Sequence, residues 1–319
     1  MKWKVFELTT RTDAVDMISA VLGDLGVQGI EIEDNVPLTE AETKGMFIDI
    51  LPELPPDDGT AKVRFYLDDA DDEAAILAGL RAEIEDMRSY MDLGACTLTT
   101  GETEDKDWIN NWKEFFHPFT VDEFLIKPTW EDVPEKWADK RVIEMDPGTA
   151  FGTGQHETTQ LCIRALKRHV QKGDHVFDIG TGSGILGIAA LLLGAEHVVG
   201  TDVDENACVA AEENRAVNGI AAEAFPIFAG DVIGDEAFRE KIGANRCDLV
   251  VANILADIIM PLLPVAKEFV KPGGRILTSG ILNTREAEVR AAAEKVPGLR
   301  FVEKDAQNDW VCLVFEREA

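Results

Sequence analysis

Apolar positions along the first hundred residues recur at two different spacings. "WKVFELTT" and "KVRFYLD" read as strands, whereas "DAVDMISAVLGDLG" and "DEAAILAGLRAEIEDMRSYM" carry apolar residues three and four apart and read as amphipathic helices, the first ending at Gly26. "GIEIED", "GMFIDIL" and "CTLTTGE" supply further strands around the turn-rich "PELPPDDGT". The resulting β-α-β…β-α-β order predicts a small α+β domain of the split βαβ, ferredoxin-like kind over residues 1–105. "DKDWINNWKEFFHPF" then spaces Trp108, Trp112 and Phe115 as one helix face, so a linker helix that buries its aromatics is expected over residues 106–117.

The pattern changes after residue 118. "HVFDIG", "HVVGTDV", "AFPIFAGDV", "CDLVVANI" and "GRILTSG" are short apolar runs separated by helical segments or turns. Strands apolar on both faces belong in a parallel sheet covered by helices, so residues 118–319 are predicted to form a doubly wound, Rossmann-like α/β domain.

Composition narrows the function. Acidic residues outnumber basic ones 60 to 31, a formal charge of −29. Such a surface repels phosphate backbones and attracts basic partners, so direct nucleic-acid binding is not expected. The five cysteines are scattered without C-x-x-C spacing, which predicts neither a metal site nor a disulfide framework. "LVVANILADIIMPLLPVA" contains Asn253, Asp257 and two prolines and makes a poor membrane span, and "MKWKVFELTT" lacks a signal-peptide core. A reduced, cytoplasmic setting is the expectation.

Chemistry concentrates at strand ends. In a doubly wound sheet, ligands bind beyond the carboxyl ends of the strands. The strand "HVFDIG" runs into Gly180, Gly182 and Gly184, where the backbone can turn sharply and approach a ligand. Gly182, Gly184 and Gly187 also satisfy the G-x-G-x-x-G dinucleotide fingerprint, which keeps a nicotinamide-dependent oxidoreductase open as an alternative. Asp178 favours the other reading, because a carboxylate just before the glycines crowds a pyrophosphate but pairs with an ammonium group, directly or through water. Asp202 ends the next strand and can take two ribose hydroxyls; Asp231 can accept from an exocyclic adenine amine. Together these look like a class I S-adenosylmethionine-dependent methyltransferase fold. Asn253 and the backbone carbonyls of Ile254 and Leu255, just past another strand end, could hold a target amine. A binding module without activity would keep the cofactor site but need no open face there.

With "DPGTAFGTGQHETTQLCIRAL", "DIGTGSGILGIAALLLGA", "GTDVDENA" and "NILADII" in this order, the chain resembles the bacterial methyltransferases of large-subunit ribosomal protein L-eleven. The resemblance is strongest over residues 145–285, with Glu157 where the family usually has proline and Thr181 where it usually has cysteine. It implies S-adenosyl-L-methionine as cofactor, contacts to it from Thr159, Gly180, Asp202 and Asn253, and a first glycine loop with Phe151, Gly152 and Thr153 folded over the cofactor opposite Gly182. It further implies methyl transfer to lysine side chains, the N-terminal α-amine, or both, of that ribosomal protein; another basic protein or a small amine is the alternative substrate. Thr158 and Thr159 are expected to cap a helix starting near Gln160, and His156 to serve as a hydrogen-bonded structural residue.

Overall fold

The computed structural model describes residues 2–27, 29–37, 54–67, 71–104, 117–146, 154–243 and 246–318. The chain divides into two units, Met1–Phe115 and Phe116–Ala319. The predicted "GMFIDIL" strand and the linker helix fall outside the described residues, apart from its last residue, His117, which is not helical.

In the first unit the strands β1 (Lys2–Arg11), β2 (Ile30–Glu33), β3 (Thr60–Leu67) and β4 (Thr97–Glu104) form one antiparallel sheet in the order β2-β3-β1-β4. Helices α1 (Val15–Asp24) and α2 (Glu73–Met87) complete the split βαβ topology of a ferredoxin-like domain. Along β3 every second residue is buried, which places Val63 and Phe65 in a core with Phe6, Leu8, Ile18 and Leu80. The opposite residues are polar: the Arg64 guanidinium bonds Glu7 at 2.7 Å, Glu31 at 2.9 Å and Glu33 at 2.7 Å.

The second unit opens with a small sheet of β5 (Phe119–Val121), β6 (Phe124–Lys127) and β7 (Arg141–Glu144). Its main sheet has seven strands: β8 (His175–Ile179), β9 (His197–Asp202), β10 (Ile227–Ala229), β11 (Cys247–Asn253), β12 (Val270–Leu282), β13 (Leu299–Gln307) and β14 (Trp310–Arg317). They lie in the order β10-β9-β8-β11-β12-β14-β13, the first five parallel and β14 antiparallel to both neighbours. Helices α3 (Glu157–His169), α4 (Ile185–Leu193), α5 (Glu205–Val217), α6 (Glu236–Ile242), α7 (Ala256–Phe269) and α8 (Glu286–Glu294) connect them. Neighbouring residues of β11 alternate between two cores, Leu249 and Val251 in one and Val250 and Ala252 in the other, as a sheet covered on both faces requires. Strand order reverses between β8 and β11, so a crevice opens beyond their carboxyl ends. Asp178–Gly182 and Asn253 stand there.

Among the described residues no helix is long and apolar enough to cross a membrane, and no group of His, Cys, Asp or Glu could hold a metal ion. All five cysteines are free.

Candidate functional site

The glycine loop after β8 is shaped by backbone geometry before any ligand is considered. Gly180, Gly182 and Gly184 have φ of +70°, +53° and +82°, the left-handed region that side chains disfavour. A Cβ on Gly180 would stand 2.6 Å from Ile254 Cγ2, so the loop lies directly against the end of β11. The third glycine of the fingerprint has another reason: a Cβ on Gly187 would meet the Phe225 ring at 2.2 Å. Close packing under the loop is needed whatever nucleoside binds above it, which is why the fingerprint did not discriminate between ligand classes.

Carboxylates hold the loop from below and from the side. Asp178 is fully buried; its Oδ2 accepts from Thr181 Oγ1 at 2.9 Å and from the Gly187 N–H at 3.0 Å. Its Oδ1 is buried without a hydrogen-bond partner. Burial is the main reason its pKa is pushed up to about 7, against those two hydrogen bonds, which lower it. Asp202 accepts from the Gly182 N–H at 2.9 Å through Oδ2 and from the Asp204 N–H at 3.1 Å through Oδ1. Asp231, two residues past β10, accepts from the Ile233 N–H at 2.8 Å and remains exposed. Val203, between Asp202 and Asp204, is 73% exposed, an apolar surface that the sequence reading passed over.

The helix after the first glycine loop begins three residues earlier than expected. It starts at Glu157, and its N-cap is His156, whose Nδ1 accepts from the Thr158 N–H at 3.3 Å. The expectation that Thr158 and Thr159 cap it is therefore corrected: both sit inside the first turn, buried. His156 is held edge-on to Trp310, ring centroids 4.9 Å apart. Thr159 Oγ1 instead accepts from Asn253 Nδ2 at 3.2 Å, which joins α3 to the end of β11. Gly154, with φ +89°, has room for no side chain: a Cβ would lie 2.7 Å from Ile185 Cδ1 at the start of α4. Phe151, Gly152 and Thr153 lie outside the described residues.

Beyond Asn253 the chain turns into α7. The Ile254 N–H donates to the Ser279 carbonyl at 3.1 Å, while the Leu255 carbonyl accepts from the Ile258 and Ile259 N–H groups at 2.9 and 3.0 Å. Both lone pairs of Leu255 are thus used by the helix; among the described residues none donates to Asn253 Oδ1 or to the Ile254 carbonyl. Gly280, with φ +83°, sits against that carbonyl, and a Cβ there would come within 2.4 Å of Ile254 O. Gly280→Ala is expected to destabilise the protein by about 1–3 kcal/mol through overpacking. Thermal melts check this; an unchanged melting temperature would mean that the turn after β11 yields without cost.

Five parallel strands extended by an antiparallel strand inserted next to the last, with a glycine loop and strand-end acids around the switch point, define a class I methyltransferase. Residues 2–318 match the family described as "Ribosomal protein L11 methyltransferase (PrmA)", and the chain belongs to that family. It is 49% identical over 318 residues to the Ribosomal protein L11 methyltransferase of Lachnospira eligens, covering 100% of both chains, and 46% identical to that of Agathobacter rectalis, covering 99% of both. A crystal structure of ribosomal protein L11 methylase from Lactobacillus delbrueckii subsp. bulgaricus superposes with a TM-score of 0.57 at 34% identity, over 64% of this chain and 100% of that one. Family membership sets aside the oxidoreductase alternative.

Proposed function

We propose that the protein transfers methyl groups from S-adenosyl-L-methionine to lysine side-chain amines, the N-terminal α-amine, or both, of ribosomal protein L11. The observation that carries the chemistry is the placement of Ile254 against Gly180, with Asn253 next to it in sequence and bonded to Thr159, which brings acceptors for an amine beside the loop built to approach a nucleoside.

The residues present fit the cofactor. The orphaned Asp178 Oδ1 suits its ammonium group, and the glycine loop leaves no Cβ in the way. The Asp202 carboxylate is fixed by one N–H on each oxygen and keeps lone pairs for two ribose hydroxyls. Asp231 Oδ2 remains to accept from the exocyclic amine of adenine, and Val203 offers an apolar face to its ring. The Thr159 hydroxyl, at the positive end of the α3 dipole, suits the methionine carboxylate. Phe151, Gly152 and Thr153 would form the opposite wall.

When bound, S-adenosyl-L-methionine supplies a sulfonium methyl group, whose positive charge passes to nitrogen as the methyl moves, so little new charge is created. The protein therefore contributes mainly alignment, which can supply ~7–11 kcal/mol. Removing the proton from a lysine amine at pH 7 costs roughly 4.6 kcal/mol against an unperturbed pKa of ~10.4, and an α-amine near ~8 costs about 1.4 kcal/mol. Alignment covers either. Asn253 Oδ1 and the Ile254 carbonyl hold the neutral amine, and its proton leaves to water as burial disfavours the charged form.

The first unit is the substrate-recognition element in this reading. It carries none of the cofactor motifs, and the acidic balance of the chain favours a basic partner in a salt-dependent way. A ribosomal-protein substrate and five free cysteines support a cytoplasmic setting. The test is incubation of the full chain, and of a chain beginning at His117, with labelled methyl donor and purified ribosomal proteins. The full chain should label L11, and the shortened one should bind donor yet label L11 poorly. Labelling of another protein in its place would overturn the substrate, and full efficiency without the first unit would overturn its role.

A further inference from the structure

We infer that Asn214, on α5, is a positioning residue for the methyl-donor loop. It is 2% exposed, on the buried stripe it shares with Ala207, Cys208 and Ala211, where an alanine would favour the helix more. What its amide does instead is bridge two segments remote in sequence. Nδ2 donates to the Ser183 carbonyl at 2.9 Å, inside the glycine loop, and Oδ1 accepts from the Asp146 N–H at 3.0 Å, just past β7.

The neighbouring contacts show what the bridge controls. One turn earlier, Ala211 packs on the same loop so closely that a Cβ on Gly184 would stand 3.1 Å from its own Cβ. At the other end of α5, Asp204 caps the helix and donates its N–H to Asp202, which also holds the Gly182 N–H. A single helix therefore fixes the ribose acid at its start and the Ser183 carbonyl near its end. With that carbonyl and the Gly182 N–H both held, the Thr181–Gly182 and Ser183–Gly184 peptide units are each fixed, the one between them is constrained from both sides, and the loop meets its ligand already shaped. Asn218 makes a similar-looking clamp that does not touch the loop: its Oδ1 accepts from the Glu144 N–H at 2.9 Å, and its Nδ2 donates to the Glu144 carbonyl at 2.7 Å and to the backbone carbonyl of Asn214 at 2.8 Å, leaving the Asn214 side chain to the loop.

That difference separates positioning from general stability. The inference rests on reading residues 180–184 as the donor loop, so the wild-type chain is first titrated with S-adenosylhomocysteine by calorimetry; no binding there would overturn that reading itself. Asn214→Ala should weaken binding tenfold or more, while turnover at saturating donor stays within about threefold, because Asn214 touches neither reactant. Asn214→Asp, read at a pH high enough to ionise its buried carboxyl, keeps the volume and the bond from Asp146 but cannot donate to Ser183, and should be as weak as Asn214→Ala. Asn218→Ala should lower the melting temperature and leave affinity within twofold. Should Asn214→Ala be too unstable to assay, Asn214→Asp decides alone. Wild-type affinity in Asn214→Asp, or an equal loss of affinity in Asn218→Ala, would overturn the proposal.

Discussion

Asp178→Asn should make the unliganded protein more stable relative to wild type as the pH rises from about 4 to about 8, and should weaken binding of the methyl donor at pH 8 by tenfold or more. The reason is a carboxylate with no exposure, one oxygen bonded to Thr181 and Gly187 and the other orphaned. Its folded pKa, about 7, lies above the ordinary value of 3.8, chiefly because burial penalises the charged form. The contribution to stability is then fully present below about pH 3.8 and is lost as the pH rises through 7. At pH 8 the wild type carries a penalty on the order of 4 kcal/mol that an asparagine escapes. A bound ammonium group reverses the balance by favouring the ionised form. Donor binding to the wild type should therefore release a proton and tighten between pH 6 and 8, and both effects should vanish in the variant. Denaturant melts at pH 5 and pH 8, with calorimetry in buffers of different ionisation heat, test this. A stability difference between variant and wild type that does not change with pH would rule out the raised pKa.

Asn253→Ala should lower turnover about a hundredfold and donor affinity only a few fold. The side chain is locked from one side, Nδ2 to Thr159 Oγ1, and its backbone is carried by the last residue of β11. An amine bound to Oδ1 and to the Ile254 carbonyl is held in one direction, and losing half of that hold allows displacements of the order of 1 Å, enough for a loss of about 10². Thr159→Val, which removes the acceptor but keeps the shape, should give a smaller loss of the same kind. Single-turnover rates at saturating donor, beside binding isotherms, separate the two terms. If binding collapses while the rate at saturation survives, Asn253 serves the cofactor alone.

The parallel strands were legible because each is apolar on both faces, and the acids at Asp178, Asp202 and Asp231 because they fall where those runs stop. Other parts of the molecule gave weaker signals. Strands β5 to β7 are three or four residues long and escape any periodicity. β13, "LRFVEKDAQ", is dominated by polar residues because it forms the sheet edge, so only its partner β14 reads as apolar. The start of α3 was misplaced because threonine caps helices far more often than histidine, yet here the histidine ring supplies the acceptor. Whether a carbonyl is free also escapes a sequence: Leu255 looked equivalent to Ile254 until helix α7 was seen to consume its lone pairs. Asn214 gave no signal, since its two partners are 31 and 68 residues away.

The place of β14 bears on how the protein is made. This strand, Trp310–Arg317, lies between β12 and β13, so it enters the sheet after the neighbours on both sides have been synthesised. The turn leading into it also reaches the cofactor side of the domain: Gln307 bonds Arg164, Asn308 bonds Glu157 and Trp310 backs His156. Every residue of the cleft from Thr159 to Asn253 can leave the ribosome while the support of α3 is still missing. Competence for methyl transfer should therefore appear in one late event, after Arg317 has emerged, and nascent chains arrested before Trp310 should neither hold the donor nor modify the very particle that is translating them.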